Sequence, residues 1–310
     1  MPNQPSLVLR LSALAVLGAS AVACSPSGAA IATPTTPASS AGGSPSVAPS
    51  SPRPSVAGIA HPSGANEIVL RFDESGGFVP AEFMAAHVPL FTLYGDGTVV
   101  FVSIHPPAEQ PANAIPTGQP IRTARLSEPQ IQALLEFALK DGGLALARAD
   151  YQNPLVADAA TATFEIHAAG DTKTVSIVAL GMDGVPGADF AIKAQFVKLA
   201  DRFRDFDQGG TQASAAFTPA AYRGVLIDAA GVQGVAIRPW PWTDLKPADF
   251  QLPKDPNVFQ QRTRSLTSEE AAAIGVDGYQ NGIVGGLFVR GPDGKLYSLV
   301  VRPLLPGDEA

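Results

Sequence analysis

One cysteine, Cys24, serves all 310 residues, so the chain has no internal disulfide and its fold must stand on an apolar core. Charge is sparse, with 21 basic against 28 acidic residues, and no run of Lys or Arg occurs. Even the close pair Arg202 and Arg204 has Asp201 and Asp205 beside it. A nucleic-acid partner needs a basic patch to collect phosphates, so none is expected. Beyond the first 24 residues no segment reaches about 18 uninterrupted apolar residues, and none is expected to cross a bilayer as a helix.

Catalytic signatures are missing as well. There is no G-x-S-x-G elbow, no H-E-x-x-H, no paired C-x-x-C, no G-x-x-x-x-G-K-[ST] loop and no glycine fingerprint opening a helix after a strand. The four histidines, His61, His87, His105 and His167, lie at the end of a linker, at loop borders and beside a turn. They read as surface residues, although a Ser-His-Asp site can draw its members from distant positions. No residue pattern calls for a cofactor.

What is present begins at the N-terminus. Arg10 precedes Leu11–Ala23 (LSALAVLGASAVA), and Ala21-Val22-Ala23 leads into Cys24. A positive end, a short apolar run and small residues before a cleavage point are the three parts of a secretory signal. The run is shorter than the ~20 residues a spanning helix needs. The pattern resembles the lipobox of bacterial lipoproteins, with Ala21 where that family most often has Leu. The resemblance implies that Cys24 becomes the first residue of the mature chain and carries diacylglycerol, holding the protein to the extracytoplasmic face of the cell membrane. At ~0.8 kcal/mol per buried CH₂, two acyl chains give a stable anchor where one does not. The alternative is plain secretion, with cleavage after Ala21 or Ala23. Removal of Arg10 with the signal leaves 20 basic and 28 acidic residues, a formal charge of −8.

Residues 25–63 are almost all Ser, Pro, Ala, Gly and Thr, without periodicity. Such a segment buries too little apolar surface to offset its ordering entropy and is expected to be a disordered tether. At ~3.1 Å per residue it would reach roughly 120 Å when extended.

The rest reads as an α+β fold of antiparallel hairpin sheets with two main packed helices: a domain over 64–208, then a smaller, mainly β domain, or a continuation of the first, over 217–310. Glu67–Asp73 alternates as a strand with one buried face. Gly95-Asp96-Gly97, Ala169-Gly170-Asp171 and Gly291-Pro292-Asp293-Gly294 each join two β-rich runs, with positive φ expected at the glycines of the first. Both faces of the last strand, Lys295–Arg302, are apolar, so it is expected to be covered on both sides. Ser127 with Gln130 forms a capping box ahead of a helix whose inward stripe is Ile131, Leu134, Leu135 and Ala138. Asp189 opens a second helix as its N-cap, with the seam Ile192, Phe196, Leu199, Phe203 and Phe206, and with Lys193 facing elsewhere. Arg122-Thr123-x-x-Leu126-Ser127-x-x-Gln130 echoes Arg262-Thr263-x-x-Leu266-Thr267-x-x-Glu270, and a hairpin follows each. This raises a duplicated unit against simple convergence of caps and turns.

Three segments offer chemistry. Tyr151 and Asp158 bracket a loop and form either a polar binding patch or a packed ring with a turn acid. Trp240 and Trp242 flank Pro241; they stack a glycan, grip a Pro-rich peptide or pack as structure, and a polyproline course would make the two rings diverge. Asp183 and Asp189 border a tight acidic loop, but two carboxylates are too few for a Ca²⁺ site and no metal ligand is assigned. The sequence therefore points to a lipid-anchored envelope protein that binds a protein or glycan partner or supports an assembly, with a secreted hydrolase using a dispersed Ser/His/Asp site as the alternative.

Overall fold

Side-chain alternation and tight turns lay down a first, large sheet. The computed structural model describes residues 58–105, 118–182, 187, 189–254, 261–275 and 284–308, with side chains at 284–286 left aside. All lie within one compact unit, Pro54–Ala310. The strands are β1 (Ile68–Ser75), β2 (Phe91–Tyr94), β3 (Thr98–Val102), β4 (Ile121–Arg125), β5 (Asp150–Tyr151), β6 (Thr161–Ala168), β7 (Asp171–Val178) and β8 (Ala215–Ala216). They run in the order β5-β7-β6-β1-β2-β3-β4-β8, antiparallel except β5 against β7.

The β2–β3 turn holds because Asp96 accepts both the Thr98 N–H (2.9 Å) and the Thr98 hydroxyl (3.0 Å). Of its two glycines only Gly97 has positive φ (88°). Gly95 is required for another reason: a Cβ there would lie 2.7 Å from the Pro62 carbonyl, where the incoming chain crosses. β1 departs from the one-sided strand expected. An irregularity between Ile68 and Leu70 in its pairing with β2 leaves Val69 buried beside Leu70 and Phe72, while Ile68 packs with the second cluster.

Two helices cover one face of this sheet. In α2 (Glu128–Leu139), Gln130 Oε1 accepts the Ser127 N–H (2.9 Å) and hydroxyl (2.8 Å), and the buried residues are the four of the expected stripe. α3 (Phe190–Arg204) buries Phe196, Leu199, Ala200 and Phe203. Phe72 stacks on Phe164 (4.8 Å) and Phe91 on Phe203 (4.5 Å), so α3 sits ring to ring on β1, β2 and β6. Two local expectations change here. Asp189 makes no capping bond; its carboxylate takes Arg148 at 2.6 Å instead. Lys193 is buried, its aliphatic stem lying under the helix and its ammonium 3.4 Å from the Gln152 carbonyl.

The end of the segment read as tether lies against this body. Ile59 exchanges two hydrogen bonds with the Gln132 amide (2.7 and 2.9 Å), and Ala169 N–H donates to the Ala60 carbonyl (2.7 Å). Residues 1–57 lie outside the described residues.

The second sheet comprises β9 (Tyr222–Asp228), β10 (Ile237–Pro239), β11 (Arg262–Leu266), β12 (Val284–Arg290) and β13 (Leu296–Pro303), in the order β10-β12-β13-β9-β11. β13 is covered on both sides, as its two apolar faces require. Leu299 and Val301 join the cluster of Trp242, Phe250 and α4 (Ser268–Ile274), and Val300 packs under α1 (Ala81–Ala86) through Ala85. The cluster containing Trp242 also takes in Tyr94, Val100 and Ile121 of the first sheet, so the two sheets share apolar packing. The class is α+β.

The internal echo is local. Both capping boxes form, Thr267 with Glu270 as well as Ser127 with Gln130. The hairpins that follow are inserted oppositely: β6, the outgoing strand, lies beside β1, whereas β13, the return strand, lies beside β9.

Phe196, fully buried, meets Tyr151 edge-on (5.1 Å) and Phe164 (6.0 Å). Phe196→Ala is expected to lower the unfolding free energy by ~3–5 kcal/mol in denaturant titration; a loss below ~1 kcal/mol would place the ring outside the core. Burial pushes Tyr94 up to about 12, and burial with the Asp293 hydrogen bond does the same for Tyr297. Both rings stay neutral in the folded chain, whereas in the unfolded chain they ionise near pH ~10. Their contribution is therefore complete below pH ~10 and lost as pH rises towards ~12. Urea titrations from pH 9 to 12 should show this decline, and Tyr94→Phe should flatten part of it; an unchanged decline would assign the loss to other groups.

Candidate functional site

An accessible apolar surface is built where β1 turns into α1. Gly76 and Gly77 turn the chain at φ 82° and 79°, and a Cβ on Gly77 would stand 2.8 Å from the Asp158 carbonyl. That carbonyl accepts the Phe78 N–H (3.2 Å). Phe78 is 92% exposed and, past Pro80, Phe83 is 69% exposed on α1, with Val79 and Met84 also open. The loop carrying Asp158 adds Leu155, three residues earlier and likewise exposed. The opposite face of α1 explains the arrangement. Ala81, Ala85 and Ala86 are small enough to bring the helix backbone close to Val225, Ile227 and Val300, which leaves the large side chains pointing outwards. His87, just past the last turn, ties the helix back to β1 through Asp73 (2.6 Å).

The electrostatic setting is one-sided. No Lys or Arg occurs between Arg71 and Arg122. The acids nearest in sequence are Glu82, Glu74, bound to Arg204, and Asp73, bound to His87, and Asp158 is brought in by the fold. The surface is thus apolar with a weakly acidic margin. Two open aromatic rings and a methionine can bury large area against a complementary surface, and Met adapts its shape to it.

Of the residues singled out from the sequence, Asp158 lies at this patch. It is exposed, in left-handed conformation (φ 55°), and presents its main chain to Phe78. Tyr151, at the other end of the same loop, is buried under α3; its hydroxyl accepts the Arg148 N–H (2.9 Å) and the Arg148 guanidinium lies 4.6 Å from its ring centre. Trp240 and Trp242 do not diverge. They meet edge to face at 5.1 Å and converge on Phe250. Their indole N–H groups donate to the carbonyls of Leu245 (2.7 Å) and Glu270 (2.8 Å). Asp183 lies outside the described residues.

All four histidines have carboxylate neighbours, which their spacing in sequence does not reveal. His61 meets Glu128 (3.2 Å), His87 meets Asp73, His167 meets Glu165 (2.7 Å), and His105 faces Asp205 and Asp207. A Ser/His/Asp hydrolase needs a hydroxyl on the imidazole. Among the described residues no Ser hydroxyl bonds a His ring, and the one such contact is Thr172 with His167 (3.3 Å), directly paired across the β6–β7 turn. The patch itself left a faint trace in sequence, as an apolar stretch, FVPAEFMAA, with neither strand alternation nor a full helical stripe. Comparison with known proteins finds no matching family, no similar curated protein and no similar solved structure.

Proposed function

We propose that the chain is a lipid-anchored extracytoplasmic envelope protein that acts as a binding module. Cys24 holds it to the membrane through diacylglycerol, the Pro- and Ser-rich segment spaces it from the surface, and the two sheets act as joined sub-domains that present the patch of Phe78, Val79, Phe83, Met84 and Leu155 to a partner protein. Exposure of Phe78, Val79, Phe83 and Met84 within the one short segment 78–84 is the observation that carries the binding role. α1 carries Glu82 and no Lys or Arg, which favours a protein surface over an anionic bilayer, since helices that lie on membranes carry a basic polar face. Among the described residues no helix is long and apolar enough to cross a membrane, so the reading places attachment on the acyl chains.

Two measurements test the proposal separately. Cys24→Ser is expected to move the protein from the membrane to the soluble fraction; a variant that fractionates like the parent would put the anchor elsewhere. For the patch, a photo-reactive amino acid at position 83 should yield a discrete protein adduct in cells, and one at exposed position 269 on α4, which covers the other face of the second sheet, should not. Adding Phe78→Glu should abolish the adduct while changing stability by no more than ~0.5 kcal/mol, as for other surface substitutions. Adducts to lipid alone, or none at position 83, would overturn the binding role.

A further inference from the structure

We propose that His105, Asp205 and Asp207 form a binding site for a divalent transition cation of the zinc class. The three side chains come from two elements that meet in space. β3 runs out through Ser103, whose hydroxyl accepts the His105 N–H (3.3 Å). The carboxylates belong to the turn that follows α3. That turn is closed by its own backbone: Gly210 and Gln212 N–H groups donate to the Asp207 carbonyl (2.9 and 3.0 Å), and Gly209 N–H donates to Asp205 Oδ1 (3.1 Å). The Asp207 carboxylate takes no part in closing the turn and faces His105.

The spacing suits ligands of a single ion. His105 Nε2 lies 3.4 Å from Asp205 Oδ1 and 3.3 Å from Asp207 Oδ1, and ligand atoms of all three lie within 4.8 Å of one another. Zinc–nitrogen and zinc–oxygen bonds of ~2.0–2.2 Å put neighbouring tetrahedral ligands about 3.4 Å apart. A second observation is independent of this spacing. His105 Nε2 is itself buried yet has no hydrogen-bond partner among the described residues, and the Asp207 side chain facing it is only 5% exposed. A buried imidazole nitrogen left without a hydrogen bond is unfavourable, and a cation held between it and the buried carboxylate would satisfy it.

The donor set selects the metal class. One imidazole with two carboxylates suits zinc and its first-row neighbours, whereas Ca²⁺ takes oxygen ligands alone. Asp205 and the His105 ring edge are half-exposed, which gives the ion a route in from solvent. Three protein ligands leave a position for water or a small ligand, as in open zinc sites. Phe206, between the two carboxylates in sequence, and Gln212, at the end of the turn, also line a groove of 290 Å³ bounded by Leu134 and Phe137 of α2. The site does not depend on the lipid anchor or on the apolar patch.

The test uses the purified, untagged full chain, stripped of metal with a chelator. Titration with Co²⁺ should produce visible d–d absorption of a low-symmetry site, and Zn²⁺ should displace it at one equivalent per chain. His105→Gln and Asp207→Asn should each weaken Zn²⁺ binding by more than about tenfold, the loss seen even for outer-shell partners of metal sites. His167→Gln, another histidine beside a carboxylate, should leave it unchanged. Should Asp207→Asn fail to fold, His105→Gln decides alone, because its half-exposed ring can be replaced without opening the core. Absence of stoichiometric binding by the parent chain, or binding untouched by His105→Gln, would overturn the proposal.

Discussion

Phe203 stacked on Phe91 is the contact on which the architecture turns. The same ring also approaches Phe72 (5.8 Å) and Phe164 (6.4 Å), so one side chain of α3 ties β1, β2 and β6 together. Phe206, just beyond the helix, extends the cluster to Phe91 and Phe101 at 5.1 Å. Aromatic rings in offset and tilted contact resist both sliding and rotation, so they fix the height and direction of α3 over the sheet. The turn after α3 inherits that position. Asp205 and Asp207 meet His105 because Phe203 and Phe206 have already docked the helix end over β2 and β3.

The second sheet is held by a different device. Its interior is assembled around Trp240, Trp242 and Phe250, rings that reach α4 and β13, and its opposite face is sealed by a helix of only 6 residues. So short a helix has little stability of its own. It persists because three alanines allow close approach to β9 and β13 and because His87 bonds Asp73 on β1. The same economy exposes Phe83 and Met84. The apolar patch is therefore a consequence of how the two sheets are joined, and removing its large residues would not loosen the joint.

The histidines show how a low count of charged groups is used. His61 secures the incoming chain to the start of α2, His87 secures α1, and His167 sits in a polar row with Glu165 and Arg71 on the first sheet. In each of these three a ring nitrogen lies within hydrogen-bonding distance of its carboxylate. Among the four, His105 alone faces two carboxylates and hydrogen-bonds neither, which separates the proposed ion site from three structural ties.

Local rules were legible in the sequence wherever chemistry acts within a few residues. The capping boxes at Ser127 and Thr267, the inward stripes of α2 and α3, and the glycine-bearing hairpin turns all depend on near neighbours, and the folded elements follow them. The echo between Arg122–Gln130 and Arg262–Glu270 was legible for the same reason, and it misled beyond the caps because sheet order is not written in capping residues. Decisions made across the chain needed tertiary structure. Asp189 gave up its cap for Arg148, some 41 residues away. Lys193 was drawn under a helix, Trp240 and Trp242 converged on Phe250, and Gly95 proved necessary for the passage of Pro62. His105 met Asp205 and Asp207 only because β3 and the end of α3 converge. The sequence by itself determined the elements, since caps, turns and periodicity are short-range. The tertiary structure decided which side chains share a site, since that depends on docking energies summed over residues far apart in the chain.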